Sequence, residues 1–96
     1  MANYHIVKDL TNDVIQVANN INRFPKDVKI IRAGLAVDDW GTYFVDIDYE
    51  IDSIEFNITR RVFNDLSGAI NTALGDIFEF YIKIHEPNLN DLNQLS

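Results

Sequence analysis

The sequence predicts an α+β fold, a two-layer sandwich in which an antiparallel sheet of three to four strands carries two helices on one face. Three patterns predict it. Val7, Leu10, Val14, Val17, Ile21 and Phe24 recur at spacings of three and four, the stripe of an amphipathic helix. Asp46-Ile47-Asp48-Tyr49-Glu50-Ile51-Asp52 alternates acid and apolar side chains strictly, as a strand does with one face buried and one face wet. Val62, Phe63, Leu66, Ala69, Ile70, Ala73 and Leu74 form a second helical stripe.

The first helix begins after one of two caps. Asn3 would cap a long helix, and Thr11 would cap a shorter one if residues 4–8 form a strand. Pro25 ends it, because a proline disfavours helical geometry at the residue before it. Lys26 to Val37 is rich in β-branched residues and reads as a strand, with Ile31, Ala33, Leu35 and Val37 on one face and Val28, Ile30 and Arg32 on the other. Asp38-Asp39-Trp40-Gly41 is a hairpin connection, in which Asp favours the turn start and Gly41 supplies a left-handed residue.

The next strand starts near Thr42. Tyr43, Val45, Ile47, Tyr49 and Ile51 face inward, and Asp46, Asp48, Glu50 and Asp52 face out. At Ser53 the parity changes, since Ile54, Phe56 and Ile58 follow. Either a β-bulge at Asp52-Ser53 or a tight turn into a further strand accounts for the change. The second helix is expected from about Thr59 to Leu74, capped by Asn57 or Thr59 and stopped by Gly75. Gly68 within it costs about 1 kcal/mol relative to Ala and is expected to mark a close approach to the sheet. Asp76 to His85 alternates Phe78, Phe80, Ile82 and Ile84 with more polar residues and reads as a last strand. Glu86-Pro87-Asn88 breaks it, and residues 88–96 form a frayed tail. The expected order is α-β-β-α-β in a single domain, residues 1–96.

Composition narrows the function. Net charge is −7, and all seven acids between Ala33 and Thr59 stand without a Lys or Arg among them. An acidic balance opposes direct binding to nucleic acid or to an anionic membrane and favours a basic protein partner. The chain has no cysteine. A disulfide framework, a Cys-ligated zinc and a thiol nucleophile are therefore excluded, and a reducing cytoplasm is the expected location. No apolar run reaches the ~18–20 residues of a membrane span. Met1 to His5 shows no basic segment leading into an apolar one, so no secretory signal is expected.

Catalytic and metal motifs fail on inspection. Asp46, Asp48, Glu50 and Asp52 match the first ligand positions of an EF-hand loop, but Ile51 stands where glycine is required and Asn57 where the closing glutamate belongs. His5 and His85 are in no ligand spacing. Ser53, Ser67 and Ser96 are in no nucleophile motif, and Glu79 and Lys83 do not have nuclease spacing. No enzyme activity, metal or cofactor is expected. Arg60-Arg61 is too short for a nucleic-acid patch.

The acid row remains. Carboxylates at alternate positions of a strand stand ~6.6–6.8 Å apart, close to the step between neighbouring phosphates of a nucleic-acid strand. The expected function is therefore that of a small acidic, non-enzymatic binding protein. An inhibitor from a phage or other mobile element would be an example, one that blocks a nucleic-acid-binding host defence protein. The expected contact residues are Asp46, Asp48, Glu50 and Asp52 with Asp38, Asp39 and Trp40 at the adjoining tip. Trp40 either covers the end of the core or projects as an anchor. Three alternatives stand beside this: an ordinary solvated strand whose acids pair with Arg32 or Lys83, a homo-oligomeric accessory protein, here a homodimer joined through an edge strand, and an immunity or antitoxin protein that neutralises a basic toxin.

Overall fold

The computed structural model describes residues 3–85. In chain order the elements are β1 (Tyr4–Asp9), α1 (Thr11–Asn20), β2 (Lys29–Asp38), β3 (Tyr43–Ile51), β4 (Ile54–Arg61) and α2 (Leu66–His85). The four strands form one sheet in the order β1-β2-β3-β4, with every neighbouring pair antiparallel. Leu10, Val14 and Ala18 at α1 and Ala69, Ile70, Ala73, Leu74 and Ile77 of α2 join Val45, Ile47, Tyr49 and Ile51 of β3 in a single core. Both helices thus lie on one face of the sheet. The two-layer α+β class expected from sequence is the one observed.

The order of elements differs from the expected one and reads β-α-β-β-β-α. Residues 4–9 are an edge strand and the helix is the shorter one, but neither Asn3 nor Thr11 caps it: Thr11 is its first residue, and Leu10, which has no side-chain cap bond, holds the cap position. The carboxylate of Asp9 accepts from the backbone N–H of Thr11 at 2.8 Å and from its hydroxyl at 2.6 Å. Ala33 binds both sides of the same junction: Leu10 N–H donates to its carbonyl at 2.9 Å, and its own N–H donates to Thr11 Oγ1 at 3.0 Å. This tie, and not helix propensity, sets where α1 begins. The helix ends at Asn20, before Pro25 is reached.

In β2 the register shifts between Ile30 and Arg32. The extra residue, Ile31, brings Ile30 to the same face as Ala33 and Leu35, opposite Tyr49, Ile47 and Val45. Ile30 and Ile31 therefore exchange the roles expected from simple alternation. The β2–β3 hairpin forms as expected around Gly41, whose φ is +79°. Asp38 Oδ1 accepts from the N–H groups of Trp40 and Thr42, each at 2.9 Å. Of the two explanations for the parity change at Ser53, the tight turn is the one found. Ile51 pairs with Ile54, and Asp52 and Ser53 both adopt left-handed φ, +54° and +68°, as a two-residue I′ hairpin requires.

Two assignments in the second half are corrected. Thr59 to Arg61 continue β4, and α2 starts only at Leu66, where the Asp65 carboxylate accepts from Gly68 N–H at 2.6 Å. Asp65, not Asn57 or Thr59, is the cap. Residues 76–85, expected as a strand, complete a 20-residue helix. The stripe Ala69, Ile70, Ala73, Leu74, Ile77 runs straight through Gly75 and continues in Phe80 and Tyr81, which pack against the core. A side chain at Gly68 would meet the capping Asp65 carboxylate at 3.2 Å, so that glycine serves the cap and not a contact with the sheet. Nothing lies within 4 Å of a Cβ placed on Gly75. Gly75→Ala should accordingly raise stability by about 0.5–1 kcal/mol, measured as a higher urea midpoint at unchanged slope.

Candidate functional site

The face of the sheet opposite the helices is built from rows of side chains that the strand registers align. The first row is Ile6, Ala36, Phe44 and Arg61 across the four strands. The second is Asp9, Gly34, Asp46 and Thr59; the third is Arg32, Asp48 and Asn57; the fourth is Lys29, Glu50 and Glu55. One end of the face is therefore apolar and the other is acidic. Tyr4 extends the apolar end, its ring 6.2 Å from that of Phe44. Ile6 lies directly over Gly34, where a Cβ would come within 2.9 Å of it. That close approach lets the edge strand fold its isoleucine inward over Ala36, which is fully buried although no helix covers this face.

Asp46 and Asp48 are bridged by neutral groups. Asn57 Nδ2 donates to Asp46 Oδ1 at 2.8 Å and to Asp48 Oδ1 at 2.7 Å, so one amide bridges two carboxylates of the row. Thr59 Oγ1 donates to Asp46 Oδ1 at 3.0 Å. Among the described residues one base forms an ion pair with the row: Arg32 Nε lies 2.7 Å from Asp48 Oδ2, with the arginine side chain 66% exposed. At that exposure the pair is worth no more than about 1 kcal/mol. Lys83, the other base expected to neutralise the row, is on α2. Glu50 stands in register with Lys29 on one side and with Glu55 on the other.

The seven residues singled out in the sequence separate into three groups. Asp46, Asp48 and Glu50 share the uncovered face. Asp52 has left the row: it is in the β3–β4 turn, where its Oδ2 lies 3.1 Å from His85 Nε2, and His85 in turn stacks on Tyr81 at 4.3 Å. Asp38 is occupied in shaping the hairpin, while Asp39 and Trp40 project from the tip. Trp40 is 81% exposed, so it does not cover the core. Sequence reasoning missed the apolar half of the face. The signal for Phe44 was present, since it has the parity of Asp46.

A shallow depression of about 280 Å³ lies between the edge strand and the row, lined by Ile6, Asp9, Arg32, Gly34, Asp46 and Asp48. Among the described residues no three His, Asp or Glu side chains converge as metal ligands would. No helix among them is long and apolar enough to cross a membrane. Compared with known proteins, the chain matches no family model, no curated protein and no solved structure.

Asp9 and Tyr49 are shifted from their ordinary values. The Thr11 hydroxyl, and then the Thr11 N–H, hold the Asp9 carboxyl below the usual carboxylate range. Burial pushes the Tyr49 phenol up. The unfolded chain releases a tyrosine proton near pH ~10, and the folded one holds it longer. Stability from this source is thus intact below that pH and is lost as pH rises through the higher folded value. A phenolate absorbance titration should show a late phase from Tyr49. Tyr49→Phe should remove that late phase.

Proposed function

We propose that the protein is a non-enzymatic binding protein that presents its uncovered sheet face to a basic protein partner and inhibits it by occupying the site where that partner takes nucleic acid. The observation that carries this reading is the Asn57 amide held between Asp46 and Asp48. The bridge fixes two carboxylates without cancelling their charge, and preorganised charge is what an electrostatic recognition surface requires. The apolar row of Tyr4, Ile6 and Phe44 beside it supplies the contact area that charge alone does not. A cytoplasmic location goes with this reading.

The test compares wild-type protein with the Asp46→Asn, Asp48→Asn, Glu50→Gln variant as bait. A basic protein captured by the wild type alone, and released both by salt and by added duplex DNA, is the expected result. Equal capture by the two baits would sink the proposal.

A further inference from the structure

The sheet has two edges, and they are built differently. On β1 the register shifts at Val7, and Lys8 follows, devices that discourage pairing with another strand. β4 has neither. Its eight residues keep an unbroken register with β3, and they include no proline, glycine or lysine. Val62 N–H donates to the Tyr43 carbonyl at 2.8 Å, which extends the ladder and fixes its phase. Ile54, Phe56, Ile58 and Arg60 are the residues bonded to β3. Glu55, Asn57, Thr59 and Arg61 direct their N–H and C=O groups to the open edge, as alternation in an antiparallel pair requires.

From this edge we infer that β4 pairs with β4 of a second copy of the chain, antiparallel about a two-fold axis at Ile58. Charge selects the register. A two-fold preserves which side of the sheet is which, so residues on one face must pair with residues on the same face. Centring on Ile58 places Glu55 opposite Arg61 of the second copy and Asn57 opposite Thr59, and the symmetry repeats both pairs. All four have their main-chain groups turned outward, so each pair exchanges two backbone hydrogen bonds. Centring on Asn57 would instead set Glu55 against Thr59 and strand Arg61 beside the turn.

The Ile58 register also joins the groups left over within one chain. Glu55 faces the like charge of Glu50 across the hairpin, an unfavourable cross-strand pair. Arg61 lies beside Phe44 and 5.0 Å from the Phe63 ring, with no carboxylate in salt-bridge reach among the described residues. On the helix side, Ile58 meets its own copy, and Ile54, 59% exposed, meets Val62. The product is a continuous eight-stranded sheet whose two uncovered faces form a single surface. The inference stands apart from the function proposed above: a monomer would leave the acidic face as it is, and a dimer would not by itself bring a basic partner.

Two measurements test it. Amide hydrogen exchange of the wild type, run across the micromolar to millimolar range, should show Glu55, Asn57, Thr59 and Arg61 gaining protection with concentration, while Phe56 and Ile58 are protected throughout. Analytical ultracentrifugation of Glu55→Arg and of Arg61→Glu should show association weakened more than about tenfold in each, since each sets like charges face to face. The double variant Glu55→Arg, Arg61→Glu should recover it. Circular dichroism checks that all three fold, and the exchange experiment stands if one does not. A wild type that stays monomeric throughout, exchange without concentration dependence, or a double variant no better than the singles would each overturn the inference.

Discussion

Ile47→Ala should lower stability by about 2–5 kcal/mol, the range for removing a large aliphatic side chain from a core that cannot close around the gap. Ile47 is wholly buried at the centre of β3, with Ala33 and Ile58 as its register partners and the stripes of both helices in the same core. Domains of this size hold only about 5–15 kcal/mol in total, so the loss is a large fraction of the whole. At roughly 4–8 °C per kcal/mol for such a domain, even the lower estimate moves the thermal midpoint by ~10 °C. Trp40→Ala is the companion measurement. It removes the largest side chain in the protein, yet that side chain stands in solvent, so the change should stay within about 0.5 kcal/mol. A large loss at Trp40 would mean that it packs over the end of the core after all.

The contrast shows what the sequence could and could not reveal about the fold. β3 was legible because half-burial writes acid and apolar residues alternately, and nothing else in the chain competes with that pattern. The end of α2 was misread because Phe78, Phe80, Ile82 and Ile84 alternate over a short window, while the three- and four-residue spacing that governs them becomes visible only when counted from Ala69. Gly75 strengthened the wrong reading. It ends no helix here, since the burial of Leu74 and Ile77 on either side outweighs the modest cost of a glycine. β1 stood only as one of two alternatives for a different reason: it is an edge strand with all six residues exposed, so burial imposes no pattern on it. The bulge at Ile31 is a tertiary feature that inverted the faces of Ile30 and Ile31 without any local sign.

The candidate site was legible in one dimension only. The row Asp46, Asp48, Glu50 is read along a single strand, but its electrostatics depend on what β2 and β4 place beside it. Arg32 stands 16 residues from Asp48, and Asn57 and Thr59 stand 11 and 13 residues from Asp46, so no local pattern announces the contacts. Asp52 looked like the fourth member because alternation cannot foresee a turn that begins at the last acid.

Neutralising Asp46, Asp48 and Glu50 together should abolish partner capture while leaving the fold intact, and the magnitudes explain why the two effects separate. Adjacent carboxylates ~6.7 Å apart on the strand repel by only about 0.6 kcal/mol in water, and physiological salt reduces that further. Losing the exposed Arg32–Asp48 pair costs a similar amount in the opposite direction. The folded state should therefore change by less than about 1 kcal/mol, read as a thermal midpoint within a few degrees of wild type. Binding is different, because the three charges meet complementary ones at an interface where water is excluded. Removing one partner of such a pair costs about 2–5 kcal/mol, much of it from the opposing charge left unpaired. Three such losses take any micromolar complex beyond detection. Asn57→Ala refines the test: it keeps every charge and removes the bridge, so it should weaken capture less than neutralisation does and leave its salt dependence unchanged. A triple variant that unfolds, or that binds as the wild type does, would show that the row serves the sheet and not a partner.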